Sequence, residues 1–325
     1  MECLENVISV RGCNVDESES GLYVNDLAGI SLKSMDNSAN EEQKTFYGLW
    51  KQCEKRAINK LKTLTTLMLS KKFKLKRVVE YYKGWSDNLN TSNTTALSTD
   101  KSGFIVSLSN ELYQSELSVI NLQELKFYSL SDQDLEFNIY NFETKELIQT
   151  LTKSCLTGWN RIAVGRKYLG IDTIFVSVSG TELAELKLDI KTDCIDCGCI
   201  DLCGATIKGV TCEDDFSNVE YLNNSFGLTA VININCSYES FICNNTNLFT
   251  NVLWLLSGVE VLTERINSDR INRFTTIDAK KAFDLKEEYA KEAMQELVDI
   301  CDSININKDC CLDCNAQITL QTNLP

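Results

Sequence analysis

The hydrophobic period of the chain changes twice. Phe46, Trp50, Cys53, Ala57, Leu61, Leu64 and Met68 recur every three or four residues, a single stripe that predicts an amphipathic helix. Ser38 followed by Glu41 has the form of a capping box, so this helix is expected to start near residue 39 and run to about Ser70, roughly 45 Å at 1.5 Å per residue. Between residues 103 and 190 the period falls to two. Leu135, Phe137 and Ile139 alternate with Glu136, Asn138 and Tyr140, and Ile174, Val176 and Val178 alternate with Phe175, Ser177 and Ser179. Seven strands are expected, at 103–109, 117–130, 134–142, 146–153, 160–166, 173–179 and 182–190, separated by Ser, Asp, Asn and Gly turns. The helical period then returns. Val252, Leu255, Val259, Leu262 and Ile266 form one stripe, and Phe283, Ala290, Met294, Leu297 and Cys301 form another in a helix over about 279–302. The most apolar run, VLWLLSGVEVL, falls well short of the roughly 20 residues a bilayer needs, so no membrane span is expected.

These patterns predict an α+β chain in which long N-terminal and C-terminal helices flank a jelly-roll-like β-sandwich, with a cysteine-rich loop region. The expected parts are an extended docking segment over 1–37, a long basic helix and basic segment over 38–85, and a polar linker over 86–102. The sandwich follows over 103–190, then a cysteine-rich segment over 191–245 and a C-terminal helical region over 246–325 that ends in a CCxxC pattern. In the docking segment, Tyr23, Leu27 and Ile30 are the apolar residues expected to reach a neighbour.

Composition narrows the chemistry. There is no histidine, which removes Ser-His-Asp and Cys-His pairs, histidine metal ligands and the usual side chain titrating near neutrality. No Gly-rich phosphate loop is present, and Asp214–Asp215 and Glu287–Glu288 are sequence neighbours that point to different faces. A catalytic role is not expected.

The 15 cysteines are an odd number, so one chain cannot pair them all. The opening residues lack the basic start and long apolar stretch of a secretion signal, and thiols made in a reducing cytosol read as free or metal-bound before they read as disulfides. The cluster Cys194, Cys197, Cys199 and Cys203, with Cys310, Cys311 and Cys314 near the end, has spacings that suit a structural zinc. Cys194 and Cys197, or Cys199 and Cys203, would join Cys311 and Cys314. Reduced thiols in tight loops, or disulfides formed after a particle leaves the cell, are the competing readings.

The formal net charge is −14, yet residues 44–83 carry twelve Lys or Arg against only Glu54 and Glu80. Lys44, Lys51, Lys55 and Lys62 fall together on a face of the expected helix, apart from its apolar stripe. That face suits the acidic flank of another subunit, with transient DNA contact as the alternative.

The segments CLENVISVRGCN, SGLYVNDLAGISL and DCCLDCNAQITL, with Phe46, Trp50 and Lys51 of the long helix, resemble virion proteins of the crAss-like phages of Bacteroidales. The match covers the two chain ends, and Ala28 stands where that pattern has proline. The resemblance implies a structural neck or tail ring protein, present as many copies, touching portal, tail or neck proteins, and assembled in the host cytoplasm into the virion. Its N-terminal segment and helix would make ring contacts. The rival reading is a glycan- or receptor-binding module in which Trp159, Tyr140 or Tyr168 of the sandwich offers a stacking platform.

Overall fold

The computed structural model describes residues 2–12, 17–40, 42–43, 45–76, 78–83, 89–96, 101–108, 115–179, 182–186, 192–194, 206–222, 228–268, 276–306, 309 and 311–312. Among the described residues the chain is α+β, with five α-helices and two large antiparallel sheets that do not close into a barrel. It divides into two units. Met1–Phe73 and Phe241–Asn307 form a helical unit, and Lys74–Ser240 with Lys308–Pro325 form a β unit inserted into it along the sequence.

The helical unit opens with two short parallel strands, β1 (Ile8–Ser9) and β2 (Leu22–Tyr23). Helices α1 (Leu32–Ser38) and α2 (Phe46–Lys72) follow. The helix begins later than expected, because Ser38 ends α1 and its hydroxyl donates to the Ser34 carbonyl at 2.8 Å. The capping box lies at Ser31 and Ser34, and Thr45 opens α2 by accepting from Gly48 N. Asn40 breaks the helical path between them, its side-chain oxygen accepting from the backbone of Glu42 and Gln43.

Helix α3 (Tyr238–Asn244) leads into α4 (Thr246–Asn267) and α5 (Thr276–Ser303), close to the bounds expected from the sequence. Val252, Leu255, Val259 and Leu262 of the expected α4 stripe are buried, but the α5 stripe is corrected: Leu297 and Cys301 are buried with Ala282, Tyr289 and Ala293, while Phe283 and Met294 face solvent. α4 packs against both α2 and α5. Arg56 pairs with Glu264, and Lys60 approaches Glu260 at 3.5 Å, so α2 and α4 run antiparallel. Leu49, Trp50, Cys53, Leu61, Phe249, Val252, Leu262 and Leu297 are buried.

The β unit contains β3 (Val78–Lys83), β4 (Leu89–Ala96), β5 (Lys101–Ser107), β6 (Ser118–Ser129), β7 (Gln133–Asn141), β8 (Leu147–Cys155) and β9 (Gly158–Tyr168). These are followed by β10 (Thr173–Ser179), β11 (Glu182–Leu186), β12 (Thr192–Cys194), β13 (Thr206–Cys212), β14 (Glu220–Leu222) and β15 (Leu228–Cys236). One sheet has the order β14-β13-β5-β10-β7-β8. The other has β12-β3-β15-β6-β11-β4, with β9 also paired to β6.

The seven expected strands form, and the sheets recruit more. The segment expected as a linker carries β4, whose Thr-rich sequence suits a strand at a sheet edge. The basic segment supplies β3, and the cysteine-rich segment supplies β12 to β15.

Both sheets turn one face to a shared core. Phe104 and Val106, Leu135 to Ile139, Ile174 to Val178, and Leu228 to Ile234 contribute every second residue. On β6 the inward residues are Ile120 and Leu122, then Leu125 and Phe127. The pairing register shifts between Leu122 and Glu124, so a bulge restores the inward phase over the second half of the strand. β10 is apolar on both faces, because Phe175 packs with Ile105, Val210, Tyr140, Phe142 and Phe216 on the other side of its sheet.

Gly103 lies where β5 passes β10. A Cβ placed there would sit 1.9 Å from the Val176 carbonyl oxygen, a backbone atom that cannot move without its strand. Gly103→Ala is expected to destabilise the chain by about 3 kcal/mol, the upper range for overpacking. The lowered midpoint of urea unfolding measures it, and an unchanged midpoint contradicts the close approach.

Candidate functional site

The residues expected to dock onto neighbours dock onto the chain itself. Leu27 and Ile30 are 5% and 6% exposed. Three consecutive parts of this arm present carbonyls to α4 and α5: Trp254 Nε1 donates to Tyr23 O at 2.8 Å, Tyr289 Oη to Ala28 O at 3.0 Å, and Arg265 to Gly29 O at 2.6 Å. The Tyr23 ring lies under the Arg11 guanidinium at 4.6 Å, and Arg11 pairs with Asp26. Leu27 and Ile30 are therefore corrected from intersubunit to internal contacts, while the Tyr23 side chain is half-buried. An arm without regular structure satisfies its backbone through side-chain donors on the helices beneath it. Trp254 and Tyr289 were not singled out from the sequence. Each is an amphipathic aromatic off its helix stripe, the one signal that could have marked it.

The basic face divides in the same way. Lys51 donates to Asn6 Oδ1 and pairs with the buried Glu54, both at 3.0 Å, and Glu54 also accepts from Asn6 N. Lys51 thus compensates a buried carboxylate within the unit while its side chain stays 36% exposed. Lys72 donates to the carbonyls of Cys301, Asp302 and Ile304, where a cation offsets the negative end of α5. Lys55 is exposed, Lys62 is partly buried, and Lys44 lies outside the described residues.

The cysteines depart furthest from expectation. Cys3 is joined to Cys243 within the helical unit, and Cys236 to Cys311 within the β unit. Cys311 is therefore no thiolate, and the expected zinc site that included it is corrected, because a disulfide sulfur has no charge to give a metal. Around Cys311 the C-terminal residues form a strap on the β unit. Lys76 N donates to Cys311 O at 2.8 Å, and Leu75 bridges to Leu312. Asp309 accepts from Ser115 Oγ, Glu116 N and Cys311 N. Cys194 ends β12, while Cys197, Cys199, Cys203, Cys310 and Cys314 lie outside the described residues. Among the described residues no group of three or more cysteines and carboxylates is placed to hold a metal ion.

Among the described residues, Cys53, Cys155, Cys212 and Cys301 stand outside the disulfides and are buried. Burial pushes the Cys53 thiol up to about 12, reinforced by Glu264 and Glu260, and pushes Cys301 up to about 11, reinforced by Asp302.

The three aromatic residues proposed as a stacking platform are not brought together. Tyr168 is 2% exposed and belongs to the shared core, and Tyr140 packs beside Phe175 and Phe216 with Lys101 Nζ 5.7 Å from its ring. Trp159 alone stands out, 54% exposed, with the edge of Tyr128 against it at 5.7 Å. Beside it Leu156 is 71% exposed, a residue that periodicity could not flag because it sits in the β8–β9 turn.

That turn is firmly built. Asp132 accepts from Thr157 N at 2.7 Å and from its hydroxyl at 2.9 Å. The Asn160 side chain accepts from Leu156 N and donates to Leu156 O and Gly158 O. Gly158 supplies the φ of 113° that the turn requires. The two bonds from Thr157 hold the Asp132 carboxyl below its usual range. The result is two large apolar side chains offered to solvent on a fixed backbone.

No family model, curated protein or solved structure matches the chain.

Two outcomes are expected. Non-reducing peptide mapping should recover the Cys3–Cys243 and Cys236–Cys311 links, and the Cys236→Ala/Cys311→Ala pair should cost about 4 kcal/mol in urea unfolding, the loop-entropy value for a long closed loop. An unshifted midpoint contradicts the strap. Cys53 and Cys301 stay protonated at pH 8, so alkylation there should leave both unmodified until the chain unfolds. Above about pH 9 the unfolded chain loses thiol protons that folded Cys53 keeps up to about pH 12, so stability falls across that window, less steeply in Cys53→Ala.

Proposed function

We propose that the chain is a structural subunit of a phage virion, forming or attached to a neck or tail ring, that works by contact between subunits and not by making or breaking bonds. In this reading helix-bearing ends flank a jelly-roll-like sandwich. The partners are further copies of the chain together with portal, tail or neck proteins, and the chain is carried in the virion after assembly in the host cytoplasm.

The observation that carries the reading is the large apolar surface left in solvent on both units. Phe283, Met294 and Val298 of α5 are 46%, 37% and 37% exposed, and Leu156 and Trp159 of the β unit are more exposed still. Scattered single residues of this kind need no explanation, but grouped ones mark contact sites. The end segments that resemble ring proteins also support it. One contains Cys3 and the other Cys311, so each takes part in a disulfide that closes its own unit. Subunits closed in this way suit a particle that must hold its shape outside the cell. The lack of histidine in the sequence fits a contact role.

The glycan-binding alternative retains Trp159 alone of its three residues, which weakens it. The test is mass photometry and negative-stain imaging of the purified chain, with peptide mass spectrometry of purified virions. A closed oligomer and virion peptides are expected. A chain that stays single at every concentration and is missing from virions removes the reading.

A further inference from the structure

Asn6, Lys51 and Glu54 meet inside the helical unit from two parts of the sequence. Lys51 Nζ stands 3.0 Å from Asn6 Oδ1 and 3.0 Å from Glu54 Oε2, and Asn6 N donates to Glu54 Oε1 at 3.0 Å. A primary amine, a carboxamide and a carboxylate therefore share one hydrogen-bonded cluster. The Glu54 side chain is only 6% exposed, and Val7, Trp50 and Cys53, which adjoin the three residues in sequence, are buried.

The backbone of Asn6 is committed to this arrangement. Its φ is 63°, in the left-handed region that asparagine tolerates better than most residues but that glycine enters more easily. Both of its backbone groups are tied, the N–H to Glu54 and the carbonyl to Glu19 N at 3.0 Å. Such a conformation costs free energy and is kept where the surroundings impose it. An ion pair between Lys51 and Glu54 would need no such residue at position 6. What the conformation adds is a carboxamide in contact with the amine.

We propose that Lys51 and Asn6 join in an intramolecular isopeptide bond, with Glu54 as the acid–base group. Glu54 first takes a proton from the Lys51 ammonium, an exchange that relieves the buried carboxylate of its charge. Rotation about χ2 of Asn6, a torsion with a broad range, turns the face of the carboxamide carbon to the neutral amine. Nζ attacks Cγ. Glu54 gives its proton to Nδ2, the Cγ–Nδ2 bond breaks, and ammonia leaves. Glu54 then takes the proton that the attacking nitrogen sheds, and the departing ammonia carries it away as ammonium. One Nζ–Cγ amide forms for each ammonia released, with no oxidant and no cofactor. Contact between the reacting groups makes the step unimolecular, which is what lets an otherwise inert carboxamide react. The reaction happens once and consumes its own side chains, so no substrate is turned over, and it does not depend on the structural-subunit reading. The bond ties the segment before β1 to α2. Cys3 ties the same segment to Cys243, but the amide, unlike that disulfide, survives reduction.

Mass spectrometry of the full chain, reduced and denatured, tests it. The wild-type chain is expected to weigh less than its sequence by one ammonia. Trypsin should release residues 1–11 and 45–55 as one branched peptide, because an acylated Lys51 is no longer a cleavage site. Lys51→Arg and Glu54→Gln should each keep the full sequence mass. Lys51→Arg retains a cation beside Glu54, so unchanged thermal unfolding of that variant before any ammonia is lost separates failure of the reaction from failure of the fold. A wild-type chain at its full sequence mass overturns the proposal however the variants behave, and leaves the three residues as a hydrogen-bonded cluster. Ammonia loss that maps elsewhere, such as a succinimide at Asn6 itself, overturns it too. A branched peptide that forms equally in Glu54→Gln overturns the acid–base role given to Glu54.

Discussion

α4 and α5 pack on each other, but α2 reaches α4 only when the segments before and after the β unit meet. α2 comes from the N-terminal part, α4 and α5 from the C-terminal part, and the whole β unit lies between them in sequence. The ion pairs Arg56–Glu264 and Lys60–Glu260 therefore join residues about 200 positions apart, as does the Cys3–Cys243 link. Closing so long a loop costs entropy that grows only slowly with its length, which is why a large insertion is tolerated once the helical core is good enough. The inserted unit brings its own core and its own strap.

The arm shows why extended segments near a chain end need not be intermolecular. Residues 20–32 lack a period, and an unpatterned apolar stretch has two ways to hide: against a neighbour or against its own fold. The deciding groups are Trp254, Tyr289 and Arg265, which reach carbonyls that the arm cannot satisfy by itself. Sequence periodicity records only which face of a helix is apolar. It does not record that a polar atom at the edge of that face will find an unpaired carbonyl.

Much of the fold was legible because it depends on alternation. The seven strands from β5 to β11 follow directly from inward residues such as Leu135, Phe137 and Ile139, and α4 follows from its stripe, whereas the face that α5 buries, at Ala282, Tyr289 and Ala293, is one residue out of phase with the expected Phe283, Ala290 and Met294. What escaped depends on pairing. β4 is polar from Asn90 to Thr95 and becomes a strand by pairing with β11. The cysteine spacing gave no hint that Cys311 would reach Cys236, since disulfide partners are set by the tertiary path. The basic stretch was legible as charge but not as use. Lys51, Arg56, Lys60 and Lys72 all meet partners within the helical unit, which leaves a smaller cationic surface than the composition implies. Of the candidate surface, Trp159 was visible in the sequence and Leu156 was not, because a turn residue has no periodic neighbours to compare with.

The sheet ends constrain how such a chain can associate. β14 and β12, terminal in their sheets, are three residues each, and β4 is built of Asn, Thr and Ser. β8 carries Lys153 and presents Thr150, Thr152 and Ser154 to solvent. Short, polar or charged terminal strands discourage edge-to-edge pairing, which would otherwise give open-ended growth with loose register. With strand addition blunted, a contact between copies falls to side chains, whose geometry sets a definite rotation. Among the exposed apolar side chains, Leu156 and Trp159 sit on a turn held by Asp132 and Asn160, and Met294 and Val298 sit on a long helix packed along α4, so each pair is held by a rigid element of its own unit.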